Sequence, residues 1–494
     1  MKEYILAIDQ GTTSSRAMLF DCLGNVVDSE QQEFPQYYPK DGWVEHTPEE
    51  LLASVMSTCR KLMSKQNIQA GQIKSLGITN QRETTIVWDK TTGNPIYNAI
   101  VWQDRRTSQY CQELSEHGHG NMVAEKTGLL LDPYFSATKL KWILDNVEGA
   151  RDKAQAGELV FGTVDTFLLW HLTDGQSHFT DATNASRTML FNIHEQCWDD
   201  ELLELFNIPK SLLPVVLDSS ADFGVTSTQM LGFDIPIQGI AGDQHAALFG
   251  QACFEKGSVK STYGTGCFVM VNTGDTVFTS TNKLLSTVAY RIDGEVTYAL
   301  EGSIFVAGAV IQWLRDGLEL ISNASDSERL AMEANQDHGV TLIPAFTGLG
   351  APFWDPDARG AILGLTRDTG IKEIVNAALQ SVCYQTKDLL TAMEKDGIEI
   401  CTIKVDGGMT NNEWLLQYLS DCLQVEVEQP KSAETTALGV AFLAGLKAGI
   451  FESVTHIQSL WQSTAKFQPK ISNELASEHY QRWINAINRI RTTS

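Results

Sequence analysis

The chain has 494 residues, 43% of them apolar and 20% charged, which fits two or three folded domains and excludes a disordered or fibrous protein. Its 61 acidic and 37 basic residues leave a formal charge of −24, which argues against broad binding to nucleic acid or stable association with anionic membrane and obliges any phosphate site to bring local cations or a metal. No apolar run approaches the roughly 18 residues of a membrane-spanning helix, and nine scattered cysteines without a Cys-x-x-Cys pair read as reduced thiols of a cytoplasmic protein whose first residues carry no signal-peptide pattern.

The run Tyr4-Ile5-Leu6-Ala7-Ile8 predicts a buried strand ending at Asp9-Gln10. Two more strands are predicted at Ala17 to Asp21 and from Val26, joined by the turns Gly11-Thr12-Thr13-Ser14 and Gly24-Asn25. A glycine and three hydroxyl residues in the first turn suit a phosphate, because the backbone approaches closely and N–H and O–H groups donate to it. Arg16 adds a fixed cation. No Gly-x-x-x-x-Gly-Lys-Ser/Thr occurs, so the site is not a P-loop. Thr47, Pro48 and Glu50 predict the N-cap, first turn and capping box of a helix with Leu51, Leu52, Val55, Met56, Cys59 and Leu62 on one face.

A strand from Ile73 to Thr79 then runs into Asn80-Gln81-Arg82-Glu83. Arg82 and Glu83 form either a surface ion pair or a donor–acceptor pair for adjacent hydroxyls of a polyol. Trp102 and Tyr134 read as core residues or as apolar faces for the carbons of such a ligand.

A weaker echo begins near Ile235, where a strand from Ile237 to Ala241 leads to Asp243-Gln244. Asp9-Gln10 and Asp243-Gln244 thus look like one strand-and-turn unit used twice, which places a boundary near residue 247 and gives domains 1–247 and 248–494. Asp243 suits a carboxylate that orients a hydroxyl and takes its proton in phosphoryl transfer. Tyr263-Gly264-Thr265-Gly266 predicts a second hairpin for phosphate, and Ile374 to Met393 a helix. The strand Ile403 to Val405 leads into Asp406-Gly407-Gly408-Met409-Thr410-Asn411-Asn412, whose glycines let a base or ribose lie on backbone near a helix N-terminus. Leu475, Tyr480, Trp483, Ile484, Ile487 and Ile490 keep helical spacing and predict a helix packed on the second domain.

As a set, these residues resemble the FGGY carbohydrate kinases. The resemblance is carried by Tyr134-Phe135-Ser136-Ala137-Thr138-Lys139-Leu140-Lys141-Trp142 and by Gly360-Ala361-Ile362-Leu363-Gly364-Leu365 with Glu373 to Gln380, and it spans nearly the whole chain, fading after residue 450. It implies an α/β fold of two ribonuclease-H-like domains, as in actin-like ATPases, closing on a central catalytic cleft. It also implies magnesium-assisted phosphoryl transfer from ATP to glycerol. By position, the resemblance puts Arg82, Glu83, Trp102, Tyr134, Asp243 and Gln244 on glycerol, with Asp243 as the base. Thr12, Thr13, Ser14 and Arg16 would meet the phosphates, Asp9 the magnesium, directly or through water, and Thr265, Gly308, Gln312, Gly408 and Asn412 the nucleotide. A homodimer or homotetramer is implied as well.

His245 stands where such kinases usually have a second glutamine, which keeps a sister kinase for another small polyol open. A nucleotide-gated sensor or chaperone-like ATPase on the same scaffold is the alternative from another class. Met230-Leu231-Gly232-Phe233-Asp234 replaces the cationic loop that binds fructose 1,6-bisphosphate in some family members. That replacement argues against regulation by this effector, and the absence of histidine there argues against phosphorylation by a sugar-transport phosphocarrier.

Overall fold

The structure, a computed structural model, describes residues 2–355 and 357–492. Two mixed sheets organise it. In the first, the strand order is Ser220–Val225, Pro236–Gly242, Ile73–Asn80, Tyr4–Gln10, Ser14–Asp21, Val26–Glu33. Tyr4–Gln10, Ile73–Asn80 and Pro236–Gly242 run parallel, while Ser14–Asp21 and Val26–Glu33 extend the sheet as antiparallel hairpin strands. In the second sheet the order is Leu285–Ile292, Glu295–Ile304, Cys267–Gly274, Ser258–Tyr263, Thr402–Asp406, Val427–Pro430, Ser463–Phe467. Here Ser258–Tyr263, Thr402–Asp406 and Val427–Pro430 are the parallel strands. The same hairpin-then-parallel arrangement is built twice, as in ribonuclease-H-like domains.

The duplication has a different phase from the one the sequence pattern suggests. Pro236–Gly242, expected to open the second unit, is the third parallel strand of the first sheet and pairs with Ile73–Asn80. The counterpart of Tyr4–Gln10 is Ser258–Tyr263. A strand ending in a glycine and an acid reads alike in either place, because local pattern does not say which neighbour its backbone will pair with.

Alternate residues of the buried strands face opposite layers. Leu6, Ile8, Leu76 and Ile78 pack with Leu51, Val55 and Cys59 of helix Pro48–Lys65. Thr47 is the N-cap of that helix, but its side chain makes no capping bond. Glu50 instead accepts the Tyr37 hydroxyl at 3.0 Å, so the expected capping box is absent. On the opposite face, Ile5, Ala7, Met18 and Phe20 share a core with helices Asp243–Gly250 and Thr435–Lys447 and with Met270, Ala289 and Ala299 of the second sheet. Those two helices are therefore the layer between the sheets.

The C-terminal helix Asn473–Ile490 buries Trp483 and Ile487 in the core of the second unit, as its spacing predicts. None of the nine cysteines is paired. Among the described residues, no helix is long and apolar enough to cross a membrane.

Candidate active site

Parallel strands bring the residues beyond their carboxyl ends to one edge of a sheet. Asp9, Arg82 with Glu83, and Asp243 all succeed or close parallel strands of the first sheet, so residues far apart in the chain converge. The hairpin after the first strand is held from several sides. Gly11 N–H donates to the Ser14 carbonyl at 3.0 Å, and the Gln36 amide donates to the Thr12 carbonyl at 2.9 Å. Trp102 Nε1 donates to Thr12 Oγ1 at 3.0 Å, so this indole anchors the hairpin as well as offering an apolar face. Thr13 is exposed, and Ser14 Oγ accepts from Gln31 at 3.0 Å. Arg16 pairs with Glu434, at the start of helix Thr435–Lys447, and donates to Gln31 at 3.0 Å. Burial, with Asp243 and Glu434 adding to it against Arg16, lifts the Asp9 carboxyl from 3.8 to about 7.

Asp243 is the first residue of helix Asp243–Gly250, where the positive end of the helix favours a carboxylate. Its side chain stays 29% exposed, enough for a ligand to reach it. Arg82 Nε lies 3.2 Å from Asp243 Oδ1, which also accepts the Gln244 N–H at 2.7 Å. Burial raises the Asp243 pKa, and Arg82 works against that rise. Arg82 Nη2 donates to the Tyr134 hydroxyl at 3.4 Å, and the Tyr134 and Trp102 rings meet edge-to-face with centroids 5.6 Å apart. Glu83 sits at φ +62°, a left-handed conformation that strains a non-glycine residue and is typical of functional positions. Among the residues expected to hold a polyol, Gln244 differs: its side-chain oxygen accepts from Lys260 of the second sheet.

Three charged residues that the sequence pattern does not single out complete this cluster. Arg187 Nε donates to Glu83 Oε1 at 2.7 Å, Arg187 Nη2 to Glu301 Oε1 at 3.0 Å, and Arg82 Nη1 to Glu301 Oε2 at 2.6 Å. Lys260, beneath Gln244, is the third. A signal existed in the sequence: Glu301 is the lone charge between Glu295 and Arg315, and a lone charge in an apolar strand needs a buried partner. His245 is buried, with Nε2 3.1 Å from Thr287 Oγ1. Burial and the nearby Arg82, Arg187 and Lys260 push its pKa well below 6.5, so it works as a neutral ring rather than as a pH sensor.

In the second unit, the hairpin Gly264-Thr265-Gly266 abuts the start of helix Gly308–Asp316. Gly308 N–H donates to the Gly264 carbonyl at 2.9 Å, and Ala309 N–H to the Thr265 carbonyl at 3.0 Å. Gly407, at φ +95°, lies so near Tyr263 that a Cβ would come within 2.4 Å of its carbonyl oxygen, which brings the glycine turn beside the hairpin. Gly408 is exposed, with nothing within 4 Å of a built Cβ, and leaves open backbone there. Thr265, Gly308 and Gly408 therefore converge. Gln312 is exposed on the same helix as Gly308. Asn412 caps helix Glu413–Leu423 by accepting the Leu415 N–H at 2.9 Å, and its amide nitrogen lies 3.4 Å from Ser327 Oγ.

Comparison with known proteins gives a consistent result. Residues 4–250 match the N-terminal domain and residues 259–448 the C-terminal domain of the FGGY family of carbohydrate kinases. The chain is similar to glycerol kinase of Alteromonas mediterranea, at 62% identity over 99% of this chain and 100% of that protein. Similarity to glycerol kinase 1 of Pseudomonas aeruginosa is 61% over the full length of both. Among solved structures, the Plasmodium falciparum glycerol kinase with ADP superposes with a TM-score of 0.95 at 36% identity, covering 100% of this chain and 99% of that one. Gluconate kinase of Lactobacillus acidophilus shares the fold, with a TM-score of 0.89 at 23% identity, covering 99% of this chain and 98% of that one.

Proposed function

The chain belongs to the FGGY family of carbohydrate kinases, and we infer that it is an enzyme that transfers the γ-phosphoryl group of ATP to glycerol, forming sn-glycerol 3-phosphate and ADP. The observation that carries this reading is full-length identity of 62% to a glycerol kinase, combined with a carboxylate, Asp243, set 3.2 Å from the Arg82 guanidinium at the start of helix Asp243–Gly250.

In this reading Arg82 donates to glycerol hydroxyls and Glu83 accepts from them, while Trp102 and Tyr134 cover the carbons. Glu83 Oε1 is engaged by Arg187, and no protein group among the described residues donates to Oε2, which remains for a hydroxyl. Asp243 orients the terminal hydroxyl and takes its proton; burial raises its proton affinity, which suits a base. Thr12, Thr13, Ser14 and Arg16 receive the transferring phosphates from the first sheet, and Thr265, Gly308, Gln312, Gly408 and Asn412 hold the nucleotide from the second. Because each sheet brings one substrate, catalysis is a matter of positioning and of excluding water on closure. The proposed division into residues 1–247 and 248–494 falls within helix Asp243–Gly250, in the layer between the sheets.

Asp9 fits a magnesium site. Burial and the nearby Asp243 carboxylate both disfavour ionisation of Asp9, a conflict a cation resolves. Magnesium takes one or two carboxylates together with phosphate oxygens, so a larger cluster of protein ligands is not required. When bound, the ion neutralises charge on the phosphates.

A coupled ADP-release assay with MgATP and glycerol, erythritol, dihydroxyacetone and xylulose, each against a blank without acceptor, tests the reading. Glycerol-dependent release above the other acceptors is expected. Release favouring another polyol would move the assignment to a sister kinase, and release indifferent to every acceptor would refute phosphoryl transfer to a polyol.

A further inference from the structure

Two arginines and two glutamates are buried together between the two units: Arg82, Arg187, Glu83 and Glu301 each have side chains at most 2% exposed. Three belong to the first unit. Glu301 alone comes from the second sheet, on strand Glu295–Ile304. Its carboxylate reaches both guanidinia, with Arg82 Nη1 on Oε2 at 2.6 Å, Arg82 Nη2 on Oε1 at 3.3 Å and Arg187 Nη2 on Oε1 at 3.0 Å. Against its burial, Arg187 and Arg82 hold the Glu301 carboxyl down to about 2, so it is charged at any working pH. Arg187 holds Glu83 through Nε at 2.7 Å and Glu301 through Nη2, while its Nη1 is buried without a partner among the described residues.

The geometry around Arg82 explains what this fork does. A free guanidinium beside a carboxylate closes into a two-point pair with it. Arg82 Nε already lies 3.2 Å from Asp243 Oδ1. Glu301 takes the other two nitrogens, so Arg82 cannot turn them onto Asp243 and cover the base.

We propose that Glu301 is a positioning residue for the acceptor: from the nucleotide-bearing sheet it sets the Arg82 fork and keeps Asp243 open to the polyol, coupling acceptor binding to closure of the two sheets. This rests on the kinase reading above.

The test exploits the side of the cleft on which Glu301 sits. Damage to its own sheet would weaken nucleotide binding, whereas loss of a positioning role weakens acceptor binding on the opposite sheet. In Glu301→Gln the glycerol KM is expected to rise about tenfold or more while the ATP KM stays within a factor of about two. Glu301→Asp keeps the charge but is one carbon shorter and can hold only one guanidinium, so it should fall between the parent and the glutamine variant; it also serves if Glu301→Gln does not fold. A glycerol KM unchanged within a factor of about two in both variants, or a parallel rise of both KM values, would overturn the proposal. A parent protein without glycerol-dependent ADP release would instead overturn the kinase reading, and this proposal with it.

Discussion

Replacing Gly439 with alanine puts one methyl group where the two helices between the sheets touch. A Cβ there would lie 1.8 Å from the carbonyl oxygen of Ala246 and 2.6 Å from its carbon. Such contacts are essentially never closer than 3.0 Å, so the helices must part by about 1.2 Å. The crossing is also closed from the other side, because a Cβ on Gly250 would lie 2.0 Å from the Thr435 carbonyl oxygen. Overpacking of this kind costs about 1–3 kcal/mol. The displaced helix carries Asp243 as its first residue, and the other helix begins beside Glu434, the partner of Arg16. A misplacement of about 1 Å lowers rates by up to about a hundredfold. Gly439→Ala is therefore expected to lose both thermal stability and kcat, read by thermal melting and coupled ADP release. Gly120, with nothing within 4 Å of a built Cβ, is the control, and Gly120→Ala should stay within about 0.5 kcal/mol of the parent. A Gly439→Ala protein with parental kcat and melting midpoint would refute the packing argument.

Asp243→Asn should lower kcat by about 10²- to 10⁴-fold and retain ATP binding by calorimetry; parental turnover would rule out Asp243 as the base. Trp102→Phe keeps the ring against Tyr134 but loses the bond to Thr12 Oγ1, so ATP affinity should weaken by about two- to tenfold with glycerol KM little changed. Lys139 is buried, and its ammonium donates to the carbonyls of Pro133, Tyr134 and Phe135 at 2.8, 2.5 and 2.8 Å, fixing the turn that carries Tyr134. Lys139→Met should cost about 1–3 kcal/mol and raise glycerol KM; a variant with parental melting and KM would count against that role. Asp388 accepts from the Tyr480 hydroxyl and Trp483 Nε1, and burial lifts its carboxyl from 3.8 to about 7. The folded protein then binds this proton more tightly than the unfolded chain. The contribution of Asp388 to stability is therefore fully present below the unfolded value and falls as pH rises toward 7. Asp388→Asn titrates in neither state, so melting curves between pH 4 and 8 should favour the variant increasingly as pH rises toward 7; a constant difference across that range would count against the assignment.

Much of the site is legible in the sequence because its chemistry is local. The Gly11 to Ser14 turn, the Arg82-Glu83 pair and Asp243 each announce themselves by unusual residues after an apolar strand. Arg187 and Lys260 do not, and the lone charge of Glu301 points to a buried partner without naming it, since the counter-ion lies over a hundred positions away in the cases of Arg82 with Glu301 and Arg187 with Glu83. His245, next to Asp243 in sequence, suggests a group that could tune the choice of polyol, and burial beside three cations makes it a neutral one. The capping box at Thr47 fails for a similar reason: Tyr37, thirteen positions from Glu50, takes the carboxylate.

Periodicity, turn chemistry and residue type within a few positions of one another were enough to mark out the main strands and helices, the glycine- and hydroxyl-rich hairpin after the first strand, and the family of kinases that the chain resembles. Folding in three dimensions added the rest. It made Pro236–Gly242 complete the first sheet and laid helix Thr435–Lys447 across to pack against it. It also brought one glutamate of the second sheet to the arginine of the first. Strand pairing, helix crossing and buried ion pairs are set by groups brought together on folding, and local sequence carries no record of those partners.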